Sequence, residues 1–132
     1  MLVRRLSSLL LVIDMQKRLL SVIEDSDQAV NEAIWLGSLG RHLDVPIWLT
    51  EQYPQGLGST DKRLHDALDA RSWQKMHFNA HEAPGFSQAL AASGRQQIIL
   101  CGAEAHICVL QTALGLLGAG YQVFWLTEPT RP

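Results

Sequence analysis

Three residue types in this 132-residue sequence can together do nucleophilic chemistry: a thiol at Cys108, an ammonium at Lys75 and a carboxylate at Asp14. Cys108 stands where a helix is expected to begin. Free backbone N–H groups and the positive end of the helix dipole favour an anion there. A thiol in that place is expected to ionise more readily, and the thiolate is the nucleophile. A nearby lysine would add to the effect. A nearby carboxylate could accept the thiol proton and later deliver it to a leaving group. Each residue also has an ordinary alternative. A lone cysteine is commonly a small buried hydrophobe, a lone lysine a solvated charge, and an aspartate after a strand a helix cap.

Positioning such a set requires a scaffold, and the hydrophobic pattern describes one. Short apolar runs alternate with longer amphipathic stretches. Leu9 to Ile13 reads as a buried strand ending at Asp14. Ser26 or Asp27 reads as the cap of a helix carrying Val30, Ala33, Ile34, Leu36, Leu39 and Leu43 at helical spacing. Residues 45–50 form a second strand, with Pro46 near its start. Residues 53–60 read as a loop, followed by a short helix around Leu64 and Leu68. A third strand is expected at 73–77, a helix between Pro84 and Gly94, a fourth strand at 97–101, a helix at 107–117 and a fifth strand at 121–126. Strands alternating with helices imply parallel pairing with helical crossovers. The expected fold is a single-domain α/β/α three-layer sandwich over residues 1–132, with a mainly parallel sheet of about five strands. Ligands in such sheets gather beyond the carboxyl ends of the strands. Asp14, Glu51, Gln52, Lys75, Glu104, His106 and Cys108 all fall at or just after such ends.

Composition narrows the function classes. Hydrophobic residues make up 47% and charged residues 18% of the chain, which suits a globular domain rather than a disordered one. The net charge of −2 lacks the basic excess that phosphate contacts require, so no nucleic-acid partner is expected. No segment is long enough to span a bilayer. Arg4 and Arg5 precede an apolar run that imitates a signal peptide, but Asp14 interrupts it. Cytoplasmic localisation follows. Two cysteines are too few for a disulfide scaffold or a thiolate zinc site.

Several segments resemble one known family. Leu11-Val12-Ile13-Asp14-Met15-Gln16 is similar to the opening strand and DMQ motif of the isochorismatase-like cysteine hydrolases. Thr50-Glu51-Gln52-Tyr53-Pro54, with Gly56-Leu57-Gly58, resembles the second-strand motif of the small isochorismatase-domain branch, whose substrate is unassigned. The run from Gly102 to Ala113 resembles the nucleophile motif of that branch, and Lys75 with Phe78 resembles its lysine motif. The resemblance covers nearly the whole chain, in order. It implies the Rossmann-like isochorismatase fold and a catalytic triad of Asp14, Lys75 and Cys108. Cys108 would attack an amide or related carbon and form a covalent intermediate that water cleaves. The family's cis peptide before the nucleophile helix would fall at Ala103–Glu104, aiming the Glu104 N–H at an oxyanion beside the Cys108 N–H. Homo-oligomers are implied as well.

Departures from the family pattern carry their own expectations. Metal-dependent nicotinamidases of the superfamily have an aspartate and histidines after the second strand. Glu51-Gln52-Tyr53 stands there instead, so no metal or other cofactor is expected. The aromatic that often follows DMQ is replaced by Lys17-Arg18-Leu19-Leu20. The family's last helix and strand have no counterpart after Leu126-Thr127-Glu128-Pro129. Gln52 and His106 are expected to contact a small-molecule substrate, with loop capping and helix-end packing as their alternatives. Cys101 is expected to be inert core. Apolar residues from Tyr121 to Leu126 lie at a sheet edge that a second copy could cover. A catalytically silent binding or scaffold subunit is the competing expectation to a hydrolase.

Overall fold

The computed structural model describes residues 2–103 and 105–130, with the side chains at 105, 106 and 127–130 outside that description. The chain runs β1 (Ser8–Ile13), α1 (Lys17–Leu20), α2 (Ser26–His42), β2 (Ile47–Gln52), α3 (Pro54–Leu57), α4 (Lys62–Leu68), β3 (Arg71–Lys75), α5 (Phe86–Ser93), β4 (Gln97–Gly102), α6 (Leu110–Gly118) and β5 (Gln122–Thr130). The strands form one five-stranded sheet in the order β3-β2-β1-β4-β5, every pair parallel. The expected three-layer sandwich is therefore the architecture found.

Period-two alternation in β1 builds two cores at once. Leu9, Leu11 and Ile13 face one layer with Trp48, Trp73, Phe86, Leu90 and Val109. Leu10 and Val12 face the other with Ala29, Val30, Ala33, Leu64 and Leu68. Each buried aliphatic or aromatic side chain contributes roughly 1.5–3 kcal/mol, so β1, buried along its whole length, is the spine of the fold. Trp48, Trp73 and Phe86 pack with ring centroids 5.2–5.4 Å apart. Trp35, by contrast, is 69% exposed on α2.

The strand order reverses at β1, between β2 on one side and β4 on the other. That is where parallel sheets open a crevice at their carboxyl edge. Gly102 sits at its floor. Its φ of +146° is closed to ordinary residues, and a Cβ there would overlap the Ile13 carbonyl oxygen. Just beyond, the Ala103 N–H donates to that oxygen at 2.8 Å. The ends of β1 and β4 are thus drawn together, and the residues after them with them.

Several boundaries differ from expectation. The second and third strands lie two residues from where the pattern put them, so Glu51 and Gln52 belong to β2 and Lys75 ends β3. In β3 only Trp73 and Lys75 are buried, which leaves little apolar signal to locate it. The N-cap of α2 is Asp25, in the left-handed region at φ 57°, rather than Ser26 or Asp27. The 53–60 loop contains the single turn α3, started by Pro54. The helix after β4 begins later than expected: Ala105–Val109 forms a π turn, and regular α-helix starts at Leu110.

Candidate active site

Asp14 emerges from β1 in the left-handed conformation, φ 54°, which aspartate tolerates better than most residues. Its side chain is fully buried, as is that of Lys75. β3 lies two strands from β1, roughly 10 Å at the usual strand spacing, so only a long side chain closes the gap. Lys75 Nζ does so, donating to Asp14 Oδ2 at 2.9 Å and to Gln52 Oε1 at 2.7 Å. Asp14 Oδ1 accepts from the Thr50 hydroxyl at 2.7 Å. Cys108, 2% exposed, interacts electrostatically with both the Asp14 carboxylate and the Lys75 ammonium. The three residues expected to act together are therefore brought together, from β1, β3 and the turn before α6.

The protonation expected for the thiol is overturned. Burial first, and the Asp14 carboxylate second, push Cys108 up to about 12, against a smaller lowering by Lys75. At neutral pH Cys108 is therefore a thiol. The helix-end argument fails for a local reason. Cys108 lies inside a π turn rather than in the first turn of a regular helix, and the desolvation of the site outweighs the nearby cation. A neutral thiol whose field includes a buried carboxylate has a candidate proton acceptor beside it.

A second layer of contacts holds these groups. Gln16, completely buried, donates through Nε2 to the Gln52 carbonyl at 2.9 Å and the Gly58 carbonyl at 2.7 Å. Its Oε1 accepts from the Gln52 N–H at 2.7 Å. Glu51 is engaged elsewhere: its Oε2 accepts from the Thr60 N–H at 2.7 Å and hydroxyl at 2.9 Å. Its carboxylate thus pins the loop after α3. Gln52, expected on substrate, has its side-chain oxygen on Lys75. The Glu104 N–H, the His106 side chain and the Ala103–Glu104 peptide lie outside the described residues. Thr50 and Gln16 were within the quoted motifs but carried no expected role. Their signal was position: Thr50 is paired with Ile13 across the β1–β2 register, directly beside Asp14.

A cavity of about 480 Å³ opens beside the end of β3, between Pro54, Gln55, Lys75, Met76, His77 and Glu82. Asp14 and Cys108 do not line it. Cys101 lies in the opposite core, fully buried and pushed up to about 12 by burial alone. Both cysteines are free thiols.

Residues 8–129 match the isochorismatase domain model. The chain belongs to the isochorismatase family. It is 40% identical over 118 residues to isochorismatase domain-containing protein 2 of Rattus norvegicus, covering 89% of this chain and 55% of that protein. The chain thus spans about half the length of the curated relatives it matches. Among solved structures, the MAR1 ribonuclease of Caenorhabditis elegans superposes with a TM-score of 0.89 at 31% identity, over 98% of this chain and 67% of that one. The Escherichia coli YcaC gene product, described as an octameric hydrolase of unknown specificity, does so with a TM-score of 0.89 at 28% identity, over 98% of this chain and 66% of that one. For an isochorismatase-family chain, the three converging side chains are the ones its own motifs singled out.

Proposed function

We propose that this isochorismatase-family chain is a cysteine hydrolase that cleaves a small amide or related C–N substrate through a covalent thiol intermediate. The carrying observation is the fully buried Asp14–Lys75 pair, whose two charges both act on the buried Cys108 thiol. As Cys108 Sγ bonds to the substrate carbon, its proton passes to Asp14. The developing oxyanion is held by the backbone N–H groups of Glu104 and Cys108, where one such donor is commonly worth about 3 kcal/mol. The C–N bond then breaks and the Asp14 proton leaves on the nitrogen. Water next attacks the acyl carbon, gives a proton to Asp14, and the sulfur departs and is reprotonated. Lys75 balances the negative charge that alternates between sulfur and carboxylate. Gln52 and His106 are proposed to contact the substrate at the rim.

The proposed partners are a small molecule and further copies of the chain, in the cytosol, where free thiols persist. The MAR1 neighbour is called a ribonuclease. A nucleic-acid substrate is disfavoured here by the net charge of −2. Oligomerisation is supported by the octameric neighbour and by Trp125, 37% exposed on the edge strand β5. Sedimentation at micromolar concentration tests it, and a single species near 14.7 kDa would refute it. The catalytic reading is tested by incubating the protein with a panel of small amides and following amine release together with intact mass. The expected result is release accompanied by an acyl adduct that maps to Cys108. Release that persists in Cys108→Ala, or an adduct elsewhere, would refute it.

A further inference from the structure

We infer that an exposed apolar stripe of Ile107, Leu110, Leu114 and Leu117, on and just before α6, is a seam on which a second copy of this chain docks through its own α6. The inference rests on the homo-oligomer proposed above and names the surface that forms it. α6 buries Thr112, Ala113 and Leu116 against the domain. A surface helix ordinarily turns charged and polar residues outward on its other face, as α4 does with Lys62, Arg63, His65 and Asp66. α6 turns out leucine instead. Leu114 and Leu117 are more than half exposed, and Ile107 and Leu110 more than a third. The four follow one another at steps of three, four and three. That is the spacing of the seam positions in paired helices, and it keeps them on one face. The apolar surface continues past the helix. The Thr112 hydroxyl donates to the Phe78 carbonyl at 3.3 Å, which ties to α6 a loop whose Met76 and Phe78 are both more than half exposed. Contiguous exposed apolar surface of this kind marks an interaction site, whereas scattered single residues do not.

Charge identifies the occupant. No residue from Ile107 to Thr127 is charged, so the stripe offers a different protein no ion pair by which to be steered or selected. What complements it is an equally uncharged helix face with large aliphatic side chains at the same spacing, and α6 of a second copy is such a face. α2 also exposes Trp35, Leu39 and Leu43, but beside Arg41, His42 and Asp44. Two α6 helices related by a twofold axis set each stripe against its own copy, the isologous contact of a closed dimer. The axis then passes near Gln111, which is exposed at the middle of the stripe. Ile107 adjoins Cys108 in the chain and Met76 adjoins Lys75, so the seam borders the candidate site.

The experiment is sedimentation at micromolar concentration of the wild type, Leu114→Asp, Leu117→Asp and the control Leu39→Asp, with far-UV circular dichroism to confirm folding. The expected result is a wild-type oligomer whose mass falls at least twofold in Leu114→Asp and Leu117→Asp and is unchanged in Leu39→Asp. Gln111→Cys supplies a second readout under mild oxidation. A disulfide-linked pair is expected on a non-reducing gel, with none in the wild type, whose own two cysteines are buried. Unchanged mass in both stripe variants overturns the seam, and so does equal dissociation in Leu39→Asp, which marks a general effect of added charge. Should the aspartate variants fail to fold, the cross-link decides: a linked pair supports the seam and its absence overturns it. If the wild type is a monomer, the homo-oligomer reading fails together with the seam. If the wild type is an oligomer that the stripe variants leave intact, only the seam falls.

Discussion

Cys101 and Cys108 are the same chemical group, both buried and both pushed up to about 12, yet the structure gives them different surroundings. Cys101 packs in the core beneath α2 and α4, and burial alone accounts for its shift. Cys108 packs on the opposite face of the sheet, and its shift is a contest among burial, the Asp14 carboxylate and the Lys75 ammonium. A thiol governed only by desolvation has no route for its proton. A thiol governed by a carboxylate within reach has one. On the proposed mechanism, a raised ionisation threshold does not distinguish an inert cysteine from a nucleophile, whereas a carboxylate among its causes does.

The comparison breaks most sharply in covalent chemistry. Cys108→Ala should abolish adduct formation and lower amide turnover by at least about a thousandfold, the scale of losing a nucleophile that acts as a unit with its partners. Cys101→Ala should leave turnover within about twofold. Equal losses in the two variants, measured as kcat/KM on the best substrate of the amide panel, would erase the distinction. Asp14→Asn should lower kcat far more than it changes KM, because it removes a proton acceptor rather than a binding contact.

A second contrast concerns stability. Lys75→Met keeps the stem but leaves the Asp14 carboxylate buried without its cation. A cost of about 3–5 kcal/mol is expected for breaking such a pair from one side, read as a lowered urea midpoint. Cys101→Ala, which removes only a sulfur from an apolar core, should cost less. If Lys75→Met unfolds at the wild-type midpoint, the ion pair is not holding the strand ends together.

The smallest effect is alkaline. Both thiols have folded thresholds near 12, above the ordinary 9.0. Their contribution to stability is therefore whole below pH 9 and declines as pH rises from 9 toward 12, by up to about 1.4 kcal/mol per pH unit for each thiol. Cys101→Ala should flatten that decline without removing it. A urea midpoint that stays level between pH 9 and 11 in the wild type would contradict the burial of both groups.

The sequence by itself determined the scaffold and the names of the three residues proposed to react. The continuous run of Leu, Val and Ile in β1, the glycines after α5 and α6, and the carboxylate and thiol placed just past strand ends are local signals, each readable within a few residues. The family motifs carried Asp14, Lys75 and Cys108 in order. β3 was harder to place, because an edge strand that buries only Trp73 and Lys75 leaves a faint pattern. The protonation of Cys108 was misjudged from sequence, and only the tertiary structure decided it. The position of a residue near a helix start is local, but desolvation depends on which side chains from β1, β3 and α6 close over it, and those come from across the whole chain. The same holds for Thr50, Gln16 and Gln52. Their motifs are visible in one dimension, while their hydrogen bonds to Asp14, to Lys75 and to one another exist only once β2 lies between β1 and β3.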